Sequence, residues 1–427
     1  MPIWIFFISF LTLHLNAHNL PMEEEFFILD PKHSYLEKLS QMPEMVIDHP
    51  DEYGFELFGP KGTEQWLQEN EIPYSLLTEQ ESTTSTRGYP NYQQMTEKLQ
   101  KLANDYPEIF HLFSIGQSVE GRELWVMKVS NSPREERLLP EFKYISSMHG
   151  DEITGRDLMI MFLEEIAENA KSDPRIQLLL ENTEIYIMPS MNPDGSERRS
   201  RFNANRIDLN RNFPDFTRRS HPTAQPETQA VMNFQSQRRF ALSANFHSGA
   251  VVVNYPWDTV YEKHPLDELI RHFSLEYAQL NPAMRNSTRF PLGVVNGAQW
   301  YVLKGGMQDW SYHWHQDLQV TVELSNPKWP AFETLPEYYR DNRNSLYRYL
   351  ELVHQGYGVY AKGKKGTVRI HGQQGEDYGE YSFDQQFYKV LPIGHYHFHV
   401  QLAAGESYQF AAQVTDEINS DKFYVIP

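Results

Sequence analysis

Short apolar runs alternate with helix-period stretches between residues 22 and 78. Phe26-Phe27-Ile28-Leu29 reads as a strand, and Pro31 to Leu39 as a short helix opened by a proline. Met45-Val46-Ile47 and Gly54-Phe55-Glu56-Leu57-Phe58 read as two more strands. Thr63 to Asn70 follows as a second helix and Pro73 to Leu77 as a last strand. Residues 79–88 carry no apolar side chain and read as an exposed linker open to proteases. Longer elements come next. Tyr92 to Tyr106 sets Met95, Leu99 and Leu102 on one helical face, and the strands Phe110 to Ile115 and Leu124 to Val129 flank Glu120-Gly121-Arg122. Phe142 to Met148 reads as a buried strand that runs into a helix over Gly155 to Ala167. Further strands fall at Glu184 to Met188, Ala241 to Phe246 and Leu318 to Leu324, with a long polar loop from Asn192 to Pro214. A helix over Pro336 to Val353 closes this stretch. After Gly356-Tyr357-Gly358 only strand-like runs remain, at 367–371, 387–391, 395–401 and 408–414.

Three folded units are therefore expected. Residues 22–78, in the order β-α-β-β-α-β, form a small α+β module of ferredoxin-like type. Residues 89–355 form an α/β domain whose mixed, twisted sheet carries helices on both faces. Residues 356–427 form a small all-β sandwich. The uncharged run Pro2 to Leu11 is too short to span a bilayer, and Leu15-Asn16-Ala17 suits a cleavage site. Residues 1–17 are accordingly expected to be a signal peptide, although no Lys or Arg precedes the apolar run. Export follows, secreted or periplasmic, with no stable membrane span. The net charge of −19 argues against nucleic acid and anionic membrane as partners and favours basic or neutral ligands. With no cysteine there is no disulfide, and no structural zinc site built on thiolates.

The candidate chemistry centres on His149-Gly150-Asp151-Glu152, where a strand gives way to a helix, and on His247 roughly a hundred residues later. Two imidazoles and a carboxylate suit a catalytic zinc, which keeps one position open, and loops at strand ends are where α/β folds place their sites. A short motif of this kind recurs by chance, and a satisfied strand-end histidine or a helix-capping glutamate is the plain alternative. Other stretches add weight. They are Asn192-Pro193-Asp194-Gly195, the run from Arg201 to Asp215, Asn245-Phe246-His247-Ser248-Gly249 through Asp258, Gly305-Gly306-Met307-Gln308-Asp309-Trp310, and Thr321-Val322-Glu323-Leu324-Ser325. Together these closely resemble the zinc metallocarboxypeptidases, in particular the carboxypeptidase N/E branch that includes carboxypeptidases D and M. The resemblance covers residues 90 to about 355.

The resemblance implies a carboxypeptidase-like fold and one zinc ion per chain, held by His149, Glu152 and His247. It makes Asp208 the carboxylate that orients a ligand histidine, Glu323 the general base, and Arg201 the group that stabilises the oxyanion. Asn210 and Arg211 would anchor the substrate's terminal carboxylate, and Tyr301 would close over it. Asp258 would take a basic terminal side chain, with the neutral Gln308 adding only a hydrogen bond. Arg198, Arg199 and Arg206 match no role and are expected in solvent. The implied substrates are peptide or protein C-termini, ending preferably in Lys or Arg. The C-terminal unit resembles the transthyretin-like domain of the branch, most clearly at Leu391-Pro392-Ile393-Gly394-His395-Tyr396. The N-terminal module resembles the activation domain of digestive procarboxypeptidases, which the branch normally lacks. Two departures stand out: Ser248 where glycine is usual, and no cysteines over residues 325–330. The alternatives are a related zinc amidase acting on cell-wall or side-chain-linked peptides, and a non-catalytic peptide-binding relative. The intact set of Glu323, Arg201, Arg211 and three ligands speaks against the second.

Overall fold

The computed structural model describes residues 20–42, 44–77 and 88–427. The expected signal peptide, and all of the expected linker except Gly88, lie outside the described residues. The module has strands β1 (Glu24–Leu29), β2 (Val46–Asp48), β3 (Gly54–Gly59) and β4 (Tyr74–Leu76) in the spatial order β2-β3-β1-β4, all antiparallel. Helices Ser34–Leu39 and Thr63–Glu69 complete the expected β-α-β-β-α-β order. Alternate residues of β1 and β3 (Phe26, Ile28, Phe55, Leu57) bury with Leu39, Leu67 and Ile72 in a core of the module's own.

The large sheet has eight strands: β5 (Phe110–Gln117), β6 (Glu123–Val129), β7 (Glu141–Ser146), β8 (Glu184–Met188), β9 (Phe240–His247), β10 (Ala250–Tyr255), β11 (Val294–Asn296) and β12 (Leu318–Ser325). Their order is β11-β10-β12-β9-β7-β8-β6-β5, with parallel pairing through β12, β9, β7 and β8. Every residue of β7, β9 and β12 is buried, as central strands covered on both faces must be. Helix Tyr92–Asp105 starts at a capping box in which Asn91 Oδ1 accepts from Gln94 N and Gln94 Oε1 from Asn91 N. Helices Thr154–Asn169 and Leu335–Glu351 pack over the sheet.

The stretch expected as one loop from Asn192 to Pro214 holds two short elements instead. Asn192 Oδ1 caps the helix Pro193–Arg198, and Asp208 caps the 3-10 turn Leu209–Arg211. Both elements are polar, so no apolar period announced them; the signal is the Asn-Pro and Asp-Leu-Asn capping chemistry. Beyond the sheet, β13 (Gly356–Gly372), β14 (Asp377–Val390), β15 (Gly394–Leu402), β16 (Ser407–Val414) and β17 (Phe423–Val425) form the all-β unit. The long β13 pairs with β17 at its start and β15 at its end, enclosing Val359, Ile370, Phe387, Phe398 and Val400. This unit is fastened to the α/β domain by Lys389, whose Nζ donates to Tyr312 Oη (3.2 Å) and Gln316 Oε1 (3.0 Å).

Candidate active site

Strand ends deliver the polar groups. His149 follows β7, His247 ends β9, and Glu323 lies near the end of β12 in register with His247. Glu152 precedes the helix Thr154–Asn169. All three candidate ligands are buried, with His149 Nδ1 2.8 Å from Glu152 Oε1, His247 Nδ1 2.8 Å from Glu152 Oε2, and the two ring nitrogens 3.1 Å apart. Two imidazole nitrogens and a carboxylate pointing at one spot are a set that a dication satisfies and a single proton does not.

The surroundings fit that reading. Burial and Arg201 act to lower His149, yet Glu152 and Asp208 outweigh them and push it up to about 9. The pocket thus stabilises positive charge where the ligands meet. His149 Nε2 lies 3.1 Å from Asp208 Oδ1, the carboxylate behind the ring that fixes its tautomer. His247 Nε2 faces the Asn245 amide at 2.7 Å, and Asn245 Oδ1 is buried without a partner. Turning that amide over pairs the oxygen with His247 Nε2–H and leaves Nδ1 free for an ion. Ser248, the departure from the branch pattern, donates its backbone N–H to Glu152 Oε2 at 3.0 Å. No part of the serine side chain is required for that bond. His149, Glu152 and His247 would hold a zinc ion.

Arg201 is buried among carboxylates. Its Nε donates to Asp208 Oδ2 (3.0 Å), and its Nη1 to Asp48 Oδ2 (2.7 Å) and more weakly to Glu152 Oε1 (3.4 Å). Arg211 donates from Nη2 to the Ile47 carbonyl at 2.9 Å, and Asn210 Oδ1 accepts from Met307 N. Tyr301 lines the same cleft, and burial pushes its hydroxyl upward.

A second cluster lies at the cleft floor. Asp258 Oδ1 accepts from Asn254 Nδ2 (3.0 Å) and Gln308 Nε2 (3.1 Å), while Asn254 Oδ1 and Gln308 Oε1 are buried without partners. Burial pushes the Asp258 carboxyl up to about 6, against the pull of the Asn254 bond and Arg211. Gly297 closes over it: a Cβ there would stand 1.7 Å from Asp258 Oδ1, so only glycine fits. Gln308, expected in this pocket, thus bonds Asp258 directly, and Asn254, which the sequence did not single out, adds a second bond to the same oxygen.

The module fills the cleft. Asp48, at the end of β2, accepts from Arg201 and from Lys328 Nζ (2.8 Å), which also binds Glu56. Next to it, His49 Nε2 lies 3.3 Å from Glu323 Oε1, and the Pro50 carbonyl accepts from Arg289 Nη2 and Trp300 Nε1. Met22, Val46 and Phe58 pack on Phe202 of the α/β domain. The remaining cavity among these residues is about 10 Å³, roughly the room of one water. The sequence signalled none of Asp48, His49, Lys328 or Asn254. Of the surplus arginines, Arg198 and Arg206 are exposed as expected, and Arg199 is half-buried. Arg206 bonds the Met22 carbonyl and Glu25 of the module, Arg198 pairs with Glu120, and Arg199 stacks on Trp329 at 4.6 Å.

Comparison with known proteins gives this geometry its context. The family described as zinc carboxypeptidase matches residues 95–345, which spans the sheet and every candidate site residue outside the module. The chain belongs to the zinc carboxypeptidase family. It is 42% identical over 293 residues to carboxypeptidase M of Mus musculus, covering 63% of this chain and 66% of that protein. It is 41% identical over 326 residues to carboxypeptidase D of Homo sapiens, covering 65% of this chain and 24% of that protein. The chain thus spans a little under two thirds of the first relative and about a quarter of the second. Among solved structures, thrombin-activatable fibrinolysis inhibitor superposes with a TM-score of 0.59 at 19% identity, over 78% of this chain and 99% of that one. Carboxypeptidase A from Helicoverpa armigera gives 0.60 at 17% identity, over 77% and 97%. At such identities the superpositions establish the fold alone.

Proposed function

We propose that this zinc carboxypeptidase family member is an exported exopeptidase that releases C-terminal Lys or Arg from peptides or proteins. We further propose that residues 22–78 keep it shut until the linker at 79–88 is cut. The observation that carries the reading is the convergence of His149, Glu152 and His247 beside Glu323 and Arg201, above a floor of acceptor oxygens. A zinc ion bound to the three ligands would supply Lewis acidity and a nucleophile at neutral pH. The protein's own groups do the rest. Arg211 and Asn210 hold the terminal carboxylate, for which a planar guanidinium is the best match. Arg201 stabilises the charge that develops on the scissile carbonyl oxygen, held in place for that by Asp208. Glu323 takes the proton of the attacking water and passes it to the leaving amine.

The unpaired oxygens of Asn254 and Gln308 support basic specificity beside Asp258. Three acceptors around one spot leave buried polar groups unsatisfied unless the incoming side chain brings several donors, as a guanidinium or ammonium does. For the module, the support is that Asp48, His49 and the Ile47 carbonyl take up Arg201, Glu323 and Arg211. Substrate and module therefore compete for the same groups. The test is release of amino acids from peptides ending in Arg, Lys, Leu or Phe, before and after cleavage, with and without a chelator. Basic residues should be released after cleavage, and chelation should stop it. His247→Ala should lose metal and turnover together; stoichiometric metal in that variant, by elemental analysis, would remove His247 from the ligand set.

A further inference from the structure

Asp48 and His49 form the tip of the module, and the two side chains are not equivalent. Both of Asp48's oxygens are engaged: Oδ2 accepts from Arg201 and Lys328, and Oδ1 lies 3.0 Å from His49 Nδ1. His49 Nδ1, although buried, makes no hydrogen bond. The ring reaches its place at some cost to the backbone, since His49 has φ 42°, the left-handed region that a side chain with a Cβ disfavours. Opposite it, Gly249 makes room: a Cβ there would stand 2.5 Å from the ring. A strained residue facing a glycine, its ring held between two carboxylates, is placed for something beyond filling space.

Donor atoms of His149, Glu152 and His247 fall within 4.8 Å of one another, and so do those of Asp48, His49 and Glu152. The two triads share Glu152. His49 thus stands beside the site that the first triad makes. Three protein ligands leave an open position, and a fourth makes the closed shell typical of structural zinc. The ring has a carboxylate beside each nitrogen, Asp48 at one and Glu323 at the other. Whichever nitrogen turns to an ion, the other keeps the carboxylate partner that ligand histidines usually have.

We propose that, in the uncut chain, His49 enters the coordination shell of the ion held by His149, Glu152 and His247, closing the position those three leave open. This rests on the zinc reading of the site. The consequence is reciprocal: the module slows loss of the ion, and the ion holds the module down by the same factor. The test uses the intact, uncut chain loaded with Co²⁺, read by visible absorption and by the rate at which a chelator strips the ion. His49→Ala should change the absorption bands to those of the cut chain freed of its module, and strip at least about tenfold faster. A second measurement needs no variant. Removing the ion from the wild-type chain should speed amide hydrogen exchange over residues 46–59 at least about tenfold. If His49→Ala kept the wild-type bands and stripping rate, the proposal would fail and the zinc site would stand. Loss of the bands in Asp48→Ala but not in His49→Ala would also overturn it, and so would exchange over 46–59 that ignored the ion. If the wild type bound no stoichiometric Co²⁺, the zinc reading itself would fall with it.

Discussion

Glu323 sits beside His247 in the sheet register yet is free of the tight carboxylate–imidazole pairing that joins Glu152 to both histidines. Its Oε2 is buried without a hydrogen bond among the described residues, and its Oε1 lies 3.3 Å from Nε2 of the module's His49. A buried carboxylate with an idle oxygen is costly unless it has a proton to collect. Glu323→Gln, assayed after the module is cut away and separated, should keep the metal while kcat falls by roughly two orders of magnitude or more. A kcat near the wild-type value would place the base elsewhere. Asp258 makes a different prediction, through pH. Burial holds its carboxyl at about 6, so above that pH the group is ionised and can pair with Lys or Arg, and below it the pairing is lost. Since kcat/KM reports the free enzyme, the preference for Arg over Leu should be at least about tenfold at neutral pH and shrink as pH falls through 6. Asp258→Ala should show little preference at any pH. A preference that persisted unchanged to pH 5 would count against Asp258 as the determinant.

Among the elements, the contact of the all-β unit with the α/β domain depends on pH. Lys389 is buried against Tyr312 and Gln316, and burial pushes its amine down to about 7. An unfolded lysine titrates near 10.4, so between about 7 and 10 the unfolded chain binds a proton that the folded chain does not. The strain is therefore fully present at and below about pH 7 and relieved as pH rises towards 10. Lys389→Met should melt higher than the wild type at neutral pH, by a margin that narrows towards pH 10; a margin constant with pH would mean that the amine is not held neutral. Element by element, the sequence was unevenly readable. β7 and the helix after it declared themselves through an unbroken apolar run followed by a 3.6-residue period. Helix Pro226–Ser236 did not, because its buried side includes Glu227, Thr228 and Gln235, which hide the period. The candidate metal ligands were legible because each stands at or beside the end of an element inside a compact motif. Asp48 was not, since its partners Arg201 and Lys328 lie 153 and 280 residues away and leave no trace in the local pattern.

Taken as one molecule, and on the function proposed above, the chain would hold an inhibitor and its target joined by the linker at 79–88, and that changes what a single cut does. While joined, the module's tip faces the cleft at an effective concentration of the order of millimolar, set by the tether and not by how much protein is present. Cutting the tether breaks no contact of Asp48, His49 or Pro50 with the α/β domain. It only turns an intramolecular equilibrium into one that obeys mass action. Fully cut protein should therefore stay largely silent when concentrated and gain specific activity on dilution, with a midpoint equal to the dissociation constant of the freed module. Uncut protein should show no such dependence. Activity that is complete at once and independent of concentration after the cut would mean that the contacts at Arg201, Glu323 and Arg289 are too weak to outlast the tether. In the arrangement proposed, the protease would set the possibility of activation, and the volume into which the enzyme is released would set its extent.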